Sequence, residues 1–297
     1  MKVCRETETL VILGPAAGLN MLDKDGFEAL KQKQKKGVKV LCFSSAMSHA
    51  LNNDFTPDYF TFVDPQSLLG GAIEAGYPTT EVLIAEKGLN LIKRQEEIKS
   101  QVLCWDSVYN GKEAFAAQGL TSNRVNWDQT KEFLVNLEKR GLLEILPIKN
   151  ILHCDFFNKD ASLTTWLNAY KEHQNIVVGY PHGMGHYYDH EEKKYKTTGA
   201  DDKLTSSILP IAIQKFPSLT SIVLLGFGDP NSFRWYSVAA NAQIKHYANL
   251  IIGPKQKSAM KRYRNYFKAN GISCTTLSKN NKNHLINSCK IINLDDI

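Results

Sequence analysis

The first residues that can do chemistry form a small-residue turn after an apolar run near the start of the chain. The run Thr9–Leu13 leads into LGPAAGL, with Gly14, Pro15 and Ala16 at the turn. Small residues there let main-chain N–H groups approach a phosphate, and the following helix N-terminus adds partial positive charge. A tight strand-to-helix turn also favours glycine for conformational reasons alone. The sequence therefore predicts either a nucleotide contact or a structural turn.

A carboxylate follows a second apolar run. The segment PDYFTFVDP places Asp64 and Pro65 after the predicted strand Tyr59–Val63. A carboxylate at the carboxyl end of a central strand can bind a ribose hydroxyl or a metal ion, or act as a general base. An aspartate before proline also caps turns. Both interpretations of Asp64 are open from the sequence.

Hydroxyl-bearing residues and a second glycine turn lie in the last third of the chain. Thr205 and Ser206 precede a predicted helix, where their hydroxyls either cap the helix or donate to a phosphate or carboxylate. The predicted strand Ser221–Leu225 then runs into Gly226, with Asp229 just beyond. Ligands of open α/β sheets bind at the carboxyl ends of the strands. We therefore expect these residues to share an edge of the sheet with the first turn.

The segment 180–202 is polar and rich in histidine and tyrosine. It spaces His182, His186 and His190 four residues apart, with Gly183 and Gly185 between the first two. The glycines argue against a helix, and no glutamate stands where an H-E-x-x-H zinc motif needs it. A metal site is therefore not predicted. A histidine here can be the neutral-pH base that an acceptor hydroxyl needs, and solvated histidines without a role are the alternative.

Apolar runs alternate with helical stretches along most of the chain. Most of the runs are continuous, which is typical of parallel strands buried on both faces. The fold prediction is α/β: an open, mostly parallel Rossmann-like sheet with helices on both faces, forming one nucleotide-binding domain over 1–297 with an inserted loop or lid around 180–202. Further predicted strands are Val38–Phe43, Val82–Ala85, Val102–Trp105, Ile148–His153, Ile176–Gly179, Leu250–Ile252 and Ile272–Leu277, and clear helices are Asp128–Arg140 and Ser258–Asn270.

Composition excludes several classes of protein. No run of eighteen apolar residues exists and the N-terminus lacks a signal-peptide pattern, so we expect a cytoplasmic protein. Six cysteines without a CxxC pair argue against a disulfide framework and a zinc knuckle. The net charge of +6 suits an anionic partner or ordinary solubility. The basic-aromatic stretch Lys255–Lys268 is interpreted as a helix with tyrosines packed inward, and no nucleic-acid partner is expected.

The order and spacing of these segments resemble the bacterial CMP-sialic acid sialyltransferases of the single-Rossmann-domain type. LVILGPAAGL is similar to their opening strand and Gly-Pro turn, and LTSSILPIAIQKFPSLTSIVLLGFGD to their Thr-Ser helix start and later Gly-Ile-Asp strand end. FTFVDP resembles a segment that ends in Asn-Pro there, and in Asp-Pro in the related motility-accessory-factor and pterin pyrophosphokinase-like proteins. The resemblance covers the first 65 residues and about 205–277.

The resemblance implies a function and a set of site residues. It implies a cytidine nucleotide surrounded by Gly14, Pro15, Asp64, Thr205, Ser206 and Gly226, with Ala16 and Asp229 beside them. Tyr236 would help the phosphate leave. The family's catalytic histidine falls at Pro254 here, so His246, His182 or His186 would replace it as base.

The leading expectation is transfer of a sialic-acid-like sugar from a CMP-activated donor to a surface glycan or glycolipid, by direct displacement and with no cofactor or obligatory metal. With a glycolipid or surface glycan as acceptor, a peripheral association of the protein with the inner face of the membrane is also compatible with this function. The first alternative is a pyrophosphokinase-like transferase using ATP and Mg²⁺ held by Asp64 and Asp229. The second is a non-catalytic nucleotide-binding partner in surface-polymer or flagellar assembly.

Overall fold

A computed structural model gives the structure of the protein. It describes residues 8–62, 65–69, 85–110, 127–146, 186–189, 194–197, 204, 208–227, 235, 263–277 and 289–297.

Eight parallel strands form one open sheet. They are β1 (Glu8–Leu13), β2 (Lys39–Phe43), β3 (Tyr59–Thr61), β4 (Gln101–Trp105), β5 (Leu143–Leu146), β8 (Leu219–Leu225), β9 (Ser273–Thr276) and β10 (Lys290–Ile291). Their spatial order is β10-β9-β8-β1-β2-β3-β4-β5, and every neighbouring pair is parallel. Two further strands among the described residues, β6 (His186–Asp189) and β7 (Lys194–Thr197), pair with each other in antiparallel fashion inside 180–202. The predicted parallel sheet is confirmed.

Helices connect the strands. They are α1 (Lys24–Lys35), α2 (Ala46–Asn52), α3 (Asp106–Tyr109), α4 (Trp127–Lys139), α5 (Leu209–Lys215) and α6 (263–270). Helix α1 begins where the Asp23 carboxylate accepts a hydrogen bond from the N–H of Gly26 at 2.9 Å, an N-cap that satisfies one free donor of the first turn. The central strands are buried on both faces, since the successive residues of β1 from Leu10 to Leu13 have no exposed area.

The order of the strands accounts for this two-sided burial. From β1 the chain moves outward through β2, β3, β4 and β5, whereas from β8 it moves the other way through β9 and β10. Because crossovers between parallel strands are right-handed, connections that run in opposite directions lie on opposite faces of a sheet. Helices therefore cover both faces, as the sequence predicted.

Several elements differ from the prediction. Strand β5 at Leu143–Leu146 was not predicted, and Ala85, at the end of a predicted strand, is helical. The predicted strands Ile148–His153, Ile176–Gly179 and Leu250–Ile252 lie outside the described residues. The basic-aromatic stretch matches its interpretation where it is described, because Tyr263 and Phe267 on α6 are buried and Arg264 is exposed.

Candidate functional site: the junction of strands β1 and β8

The chain reverses its direction of travel across the sheet between β1 and β8. These two strands are neighbours, yet the strands that follow them along the chain lie on opposite sides of the pair. At such a reversal the connections that follow the two strands diverge, which leaves a crevice outside the carboxyl ends of the strands. Open α/β sheets bind ligands in this crevice. Both glycine turns that the sequence singled out begin at this point.

Gly14 and Gly226 pack directly against each other at the junction. The N–H of Gly14 donates to the carbonyl of Leu225 and the N–H of Ala16 to the carbonyl of Gly226, both at 2.7 Å. A Cβ on Gly14 would lie 2.6 Å from the Gly226 oxygen and 2.7 Å from the ring of Phe227. A Cβ on Gly226, whose φ is +75°, would collide with the carbonyl oxygen of Gly14. Both positions therefore require glycine for close packing.

This packing changes the role that the first turn can play. The N–H groups of Gly14 and Ala16 are already used within the protein, and Pro15 has none to offer. A phosphate contact by this turn would have to use other atoms. The contacts of Gly14, Pro15, Ala16 and Gly226 with a nucleotide stay predictions, and the observed role of both glycines is to join two turns.

Trp235 ties the junction to the end of β2. Its N–H donates to the Pro15 carbonyl and its indole Nε1–H to the Ser45 carbonyl, both at 3.0 Å. Its own carbonyl accepts from the Asn20 side chain at 2.9 Å, and the residue is 5% exposed. A buried indole N–H needs such a partner. Trp235 thereby holds three turns of the carboxyl edge together.

A partly buried histidine lies against this tryptophan. The His49 ring on α2 is 4.6 Å from the Trp235 ring and 5.4 Å from the Phe27 ring, measured between centroids. Its Nε2 is 3.0 Å from the Leu22 carbonyl oxygen, which only accepts, so Nε2 carries the proton. Burial lowers the pKa of His49, against the opposing effect of this hydrogen bond. The imidazole is therefore neutral at pH 7.

Two serine hydroxyls on α2 and its N-cap are buried, and the described residues offer neither of them a hydrogen-bond partner. Ser45 and Ser48 have no exposed area, and no hydrogen bond to Oγ of either is found in the described part of the chain. An unsatisfied buried hydroxyl costs about 1–3 kcal/mol. Ser44, just before them, adopts a φ of 55°, and its N–H donates to the Thr61 carbonyl at 3.0 Å. The end of β2 is thus a polar, strained turn beside Trp235.

Most of the other predicted site residues lie outside the described residues. They are Asp64, His182, Thr205, Ser206, Asp229, Tyr236 and His246. His186 opens strand β6 opposite Thr197, so its backbone is extended and not helical, as its glycine neighbours predicted. Strand β3 ends at Thr61, three residues before Asp64 in the sequence, and its carboxyl end lies at the same edge of the sheet as that of β1.

The sequence interpretation missed Trp235, His49 and the serine pair. A tryptophan shortly after a glycine-ended strand was the available signal for Trp235, because such loops cover the ligand-binding edge of a parallel sheet. The tandem serines after β2 were a comparable signal, since they stand at the carboxyl end of a buried strand.

The described residues contain neither a cluster of metal-binding side chains nor a membrane-spanning helix. No group of three or more histidine, cysteine, aspartate or glutamate side chains that could hold a metal occurs in the described ranges. Nor does any helix within them combine the length and apolarity that crossing a bilayer requires. No protein-family model matches the chain, and the comparisons with curated proteins and with solved structures found no match.

Proposed function

We propose that the protein is a nucleotide-dependent glycosyltransferase that moves a sialic-acid-like sugar from a CMP-activated donor to a glycan acceptor. The observation that carries the proposal is the junction of β1 and β8, where both glycine turns meet at the reversal point of a parallel sheet. This is the place at which Rossmann-like sheets hold nucleotides. The sugar class follows from the sequence resemblance alone.

The nucleotide would lie outside the tightly packed turns rather than between them. Because the N–H groups of Gly14 and Ala16 are engaged, the phosphate would be held by donors that flank the junction. Thr205 and Ser206 are the hydroxyl donors that the sequence offers, and Asp64 or Asp229 would accept from the ribose hydroxyls.

The proposed reaction is a single displacement. A histidine takes the proton of the acceptor hydroxyl, the acceptor oxygen attacks the anomeric carbon, and the bond from that carbon to the phosphate oxygen breaks, so that CMP leaves. His186, His182 and His246 are the candidate bases, and Tyr236 would donate to the departing phosphate. A single phosphate leaving group stabilised by hydroxyls needs no obligatory metal.

One observation favours a second function. Asp64 and Asp229 follow β3 and β8, whose carboxyl ends share one edge of the sheet, and paired carboxylates bind the Mg²⁺ of phosphoryl transferases. With strands about 4.8 Å apart, the ends of β3 and β8 are separated by about 14 Å. The two loops would have to bridge this distance to share one ion. A pyrophosphokinase-like enzyme is therefore the alternative.

Stabilisation of the fold by bound nucleotides distinguishes the two proposed functions. Purified protein is heated with CMP, CDP, UDP, GDP or ATP, each with and without Mg²⁺. A nucleotide at 100 times its Kd stabilises the folded state by about 2.7 kcal/mol. Stabilisation by CMP without Mg²⁺ supports the glycosyltransferase, and a response to ATP that requires Mg²⁺ supports the alternative. No response to any of the five nucleotides contradicts both.

Two variants test the residue assignments. Ser206→Ala should weaken CMP binding, whereas Ser218→Ala, a matched change at an exposed residue beside the amino end of β8, should not. His186→Ala should slow turnover and leave CMP binding nearly unchanged. If Ser206→Ala and Ser218→Ala bind CMP equally well, the proposed phosphate contact is wrong.

A further inference from the structure

Two cysteines meet at the edge of the sheet farthest from β5. Cys274 lies in β9, and Cys289 directly precedes β10. These strands are parallel neighbours in which Lys290 pairs with Thr275, so the preceding residues, Cys289 and Cys274, lie side by side. Their sulfur atoms are 3.3 Å apart and share a hydrogen bond. Both residues are partly exposed, and neither is in a disulfide.

We propose that Cys274 and Cys289 form a redox-active dithiol that reacts with low-molecular-weight disulfides and closes to an intramolecular disulfide. A disulfide joins sulfurs about 2.05 Å apart and residues whose Cα atoms are about 4.4–6.8 Å apart. Neighbouring strands, spaced by about 4.8 Å, meet the second requirement. The sulfurs need to approach by about 1.3 Å, which side-chain rotation supplies. The site does not depend on the proposed nucleotide chemistry.

The surroundings of the pair assign different roles to the two thiols. The hydrogen bond with Cys274 lowers the pKa of Cys289, and the positive charge of Arg264 on α6 lowers it further, while burial opposes both. The same hydrogen bond and burial raise the pKa of Cys274. Since the thiolate is the nucleophile, Cys289 reacts first and Cys274 resolves. Cys42, by contrast, is fully buried, and burial raises its pKa.

The reaction is a two-step exchange. The Cys289 thiolate attacks one sulfur of a small disulfide, forming a mixed disulfide and releasing one small thiolate. The Cys274 thiol then gives up its proton to solvent and attacks the Cys289 sulfur, which expels the second small thiolate. The two protein thiols lose two electrons and two protons, and the small disulfide is reduced to two thiols. No other oxidant is needed.

A disulfide between Cys274 and Cys289 would fix the edge strand β10 to the sheet. Strand β10 comprises only Lys290 and Ile291, both of them exposed. It is held by pairing with β9 and by the N–H of Ile292, which donates to the Thr276 carbonyl at 3.0 Å. A covalent link beside these few hydrogen bonds would fix β10 to β9 and close a loop between residues 15 apart in sequence.

The test uses the full chain and glutathione disulfide as the probe. Reduced protein is incubated with glutathione and glutathione disulfide in graded ratios, free thiols are alkylated, and the peptides are identified by mass spectrometry. We expect one cross-link, between Cys274 and Cys289, that dithiothreitol reverses. A Cys4→Ser, Cys154→Ser variant should form the same cross-link, which shows that cysteines outside the described residues do not contribute.

Single variants test the assigned roles. In Cys274→Ser the glutathione adduct on Cys289 should accumulate, because the resolving thiol is gone. In Cys289→Ser the adduct on Cys274 should form at least ten times more slowly. Equal rates at the two positions would overturn the assigned roles. Wild-type protein that carries glutathione adducts without a cross-link, or that links other cysteines, would overturn the proposal, and far-ultraviolet circular dichroism confirms that each variant is folded.

Discussion

The contact between Gly14 and Gly226 makes Gly226→Ala the most informative single change in the sheet. At its φ of +75°, alanine costs about 1–2 kcal/mol of backbone strain. The new Cβ also collides with the Gly14 carbonyl, and relief of such overpacking costs about 1–3 kcal/mol. Separating the turns weakens the two hydrogen bonds between them, each worth about 1 kcal/mol. We expect the free energy of unfolding to fall by about 3–5 kcal/mol.

Two further glycines separate these contributions. Gly141 has a φ of +69°, and apart from its chain neighbours no described residue has an atom within 4 Å of the place that a Cβ would take. Gly141→Ala should therefore show backbone strain alone, about 1–2 kcal/mol. Gly14 has no positive φ, but its Cβ would lie 2.6 Å from the Gly226 oxygen, where ordinary contact begins at 3.4 Å. Gly14→Ala should therefore show the steric contribution alone, about 2–3 kcal/mol.

Urea denaturation followed by circular dichroism measures all three changes. The slope of the free energy against urea concentration should match that of the wild type, so that the midpoint reports stability. If Gly226→Ala loses no more stability than Gly141→Ala, the two turns are not in contact and the proposed architecture of the site is refuted.

Three smaller predictions concern the turn after β2, and urea denaturation checks each. Trp235→Phe keeps an aromatic ring beside His49 but removes the donor to the Ser45 carbonyl, and should cost about 1–2 kcal/mol; an unchanged midpoint would mean that the indole hydrogen bond is absent. Ser48→Ala removes a buried hydroxyl that has no hydrogen-bond partner among the described residues, and alanine favours the helix, so the change should stabilise the fold by about 1 kcal/mol. A loss of stability would mean that the hydroxyl has a partner. Because burial lowers the pKa of His49, its contribution to stability is complete above the ordinary histidine pKa of about 6.5 and is lost as pH falls below it. Between about pH 6.5 and 5.5 the wild type should lose at most about 1.4 kcal/mol of unfolding free energy through His49, and His49→Gln should abolish this loss. If the stability of the variant and of the wild type falls equally with pH, His49 does not titrate in this way.

The central strands were predictable because burial on both faces requires a continuous run of apolar residues in the sequence. Continuous apolar runs located β1, β2, β4 and β8 to within two residues of their observed bounds. Strand β5 lacks such a run because it lies at an edge of the sheet. Glu144 interrupts its apolar residues, and Ile145 is exposed. An edge strand needs neither a long nor a continuous apolar sequence.

The site was predictable only in part, because its decisive contacts join distant residues. Each glycine turn could be recognised from the strand before it, but no local pattern shows that Gly14 and Gly226 touch. Likewise, Asn20 and the Trp235 carbonyl are 215 residues apart. The cysteine pair escaped notice for the same reason, since a spacing of 15 residues matches no short motif and only the pairing of β9 with β10 brings the two sulfurs together.

The position of β1 has a consequence for how the chain folds during synthesis. Strands β1 to β5 are neighbours in the order in which they leave the ribosome, so this half of the sheet can assemble progressively. The other side of β1 pairs with β8, which is made only after most of the chain. Until then β1, a central strand with four fully buried residues, presents an open hydrogen-bonding edge, a surface prone to pairing with other chains. Because this pairing joins segments far apart in sequence, docking of β8 should be the slow step of folding.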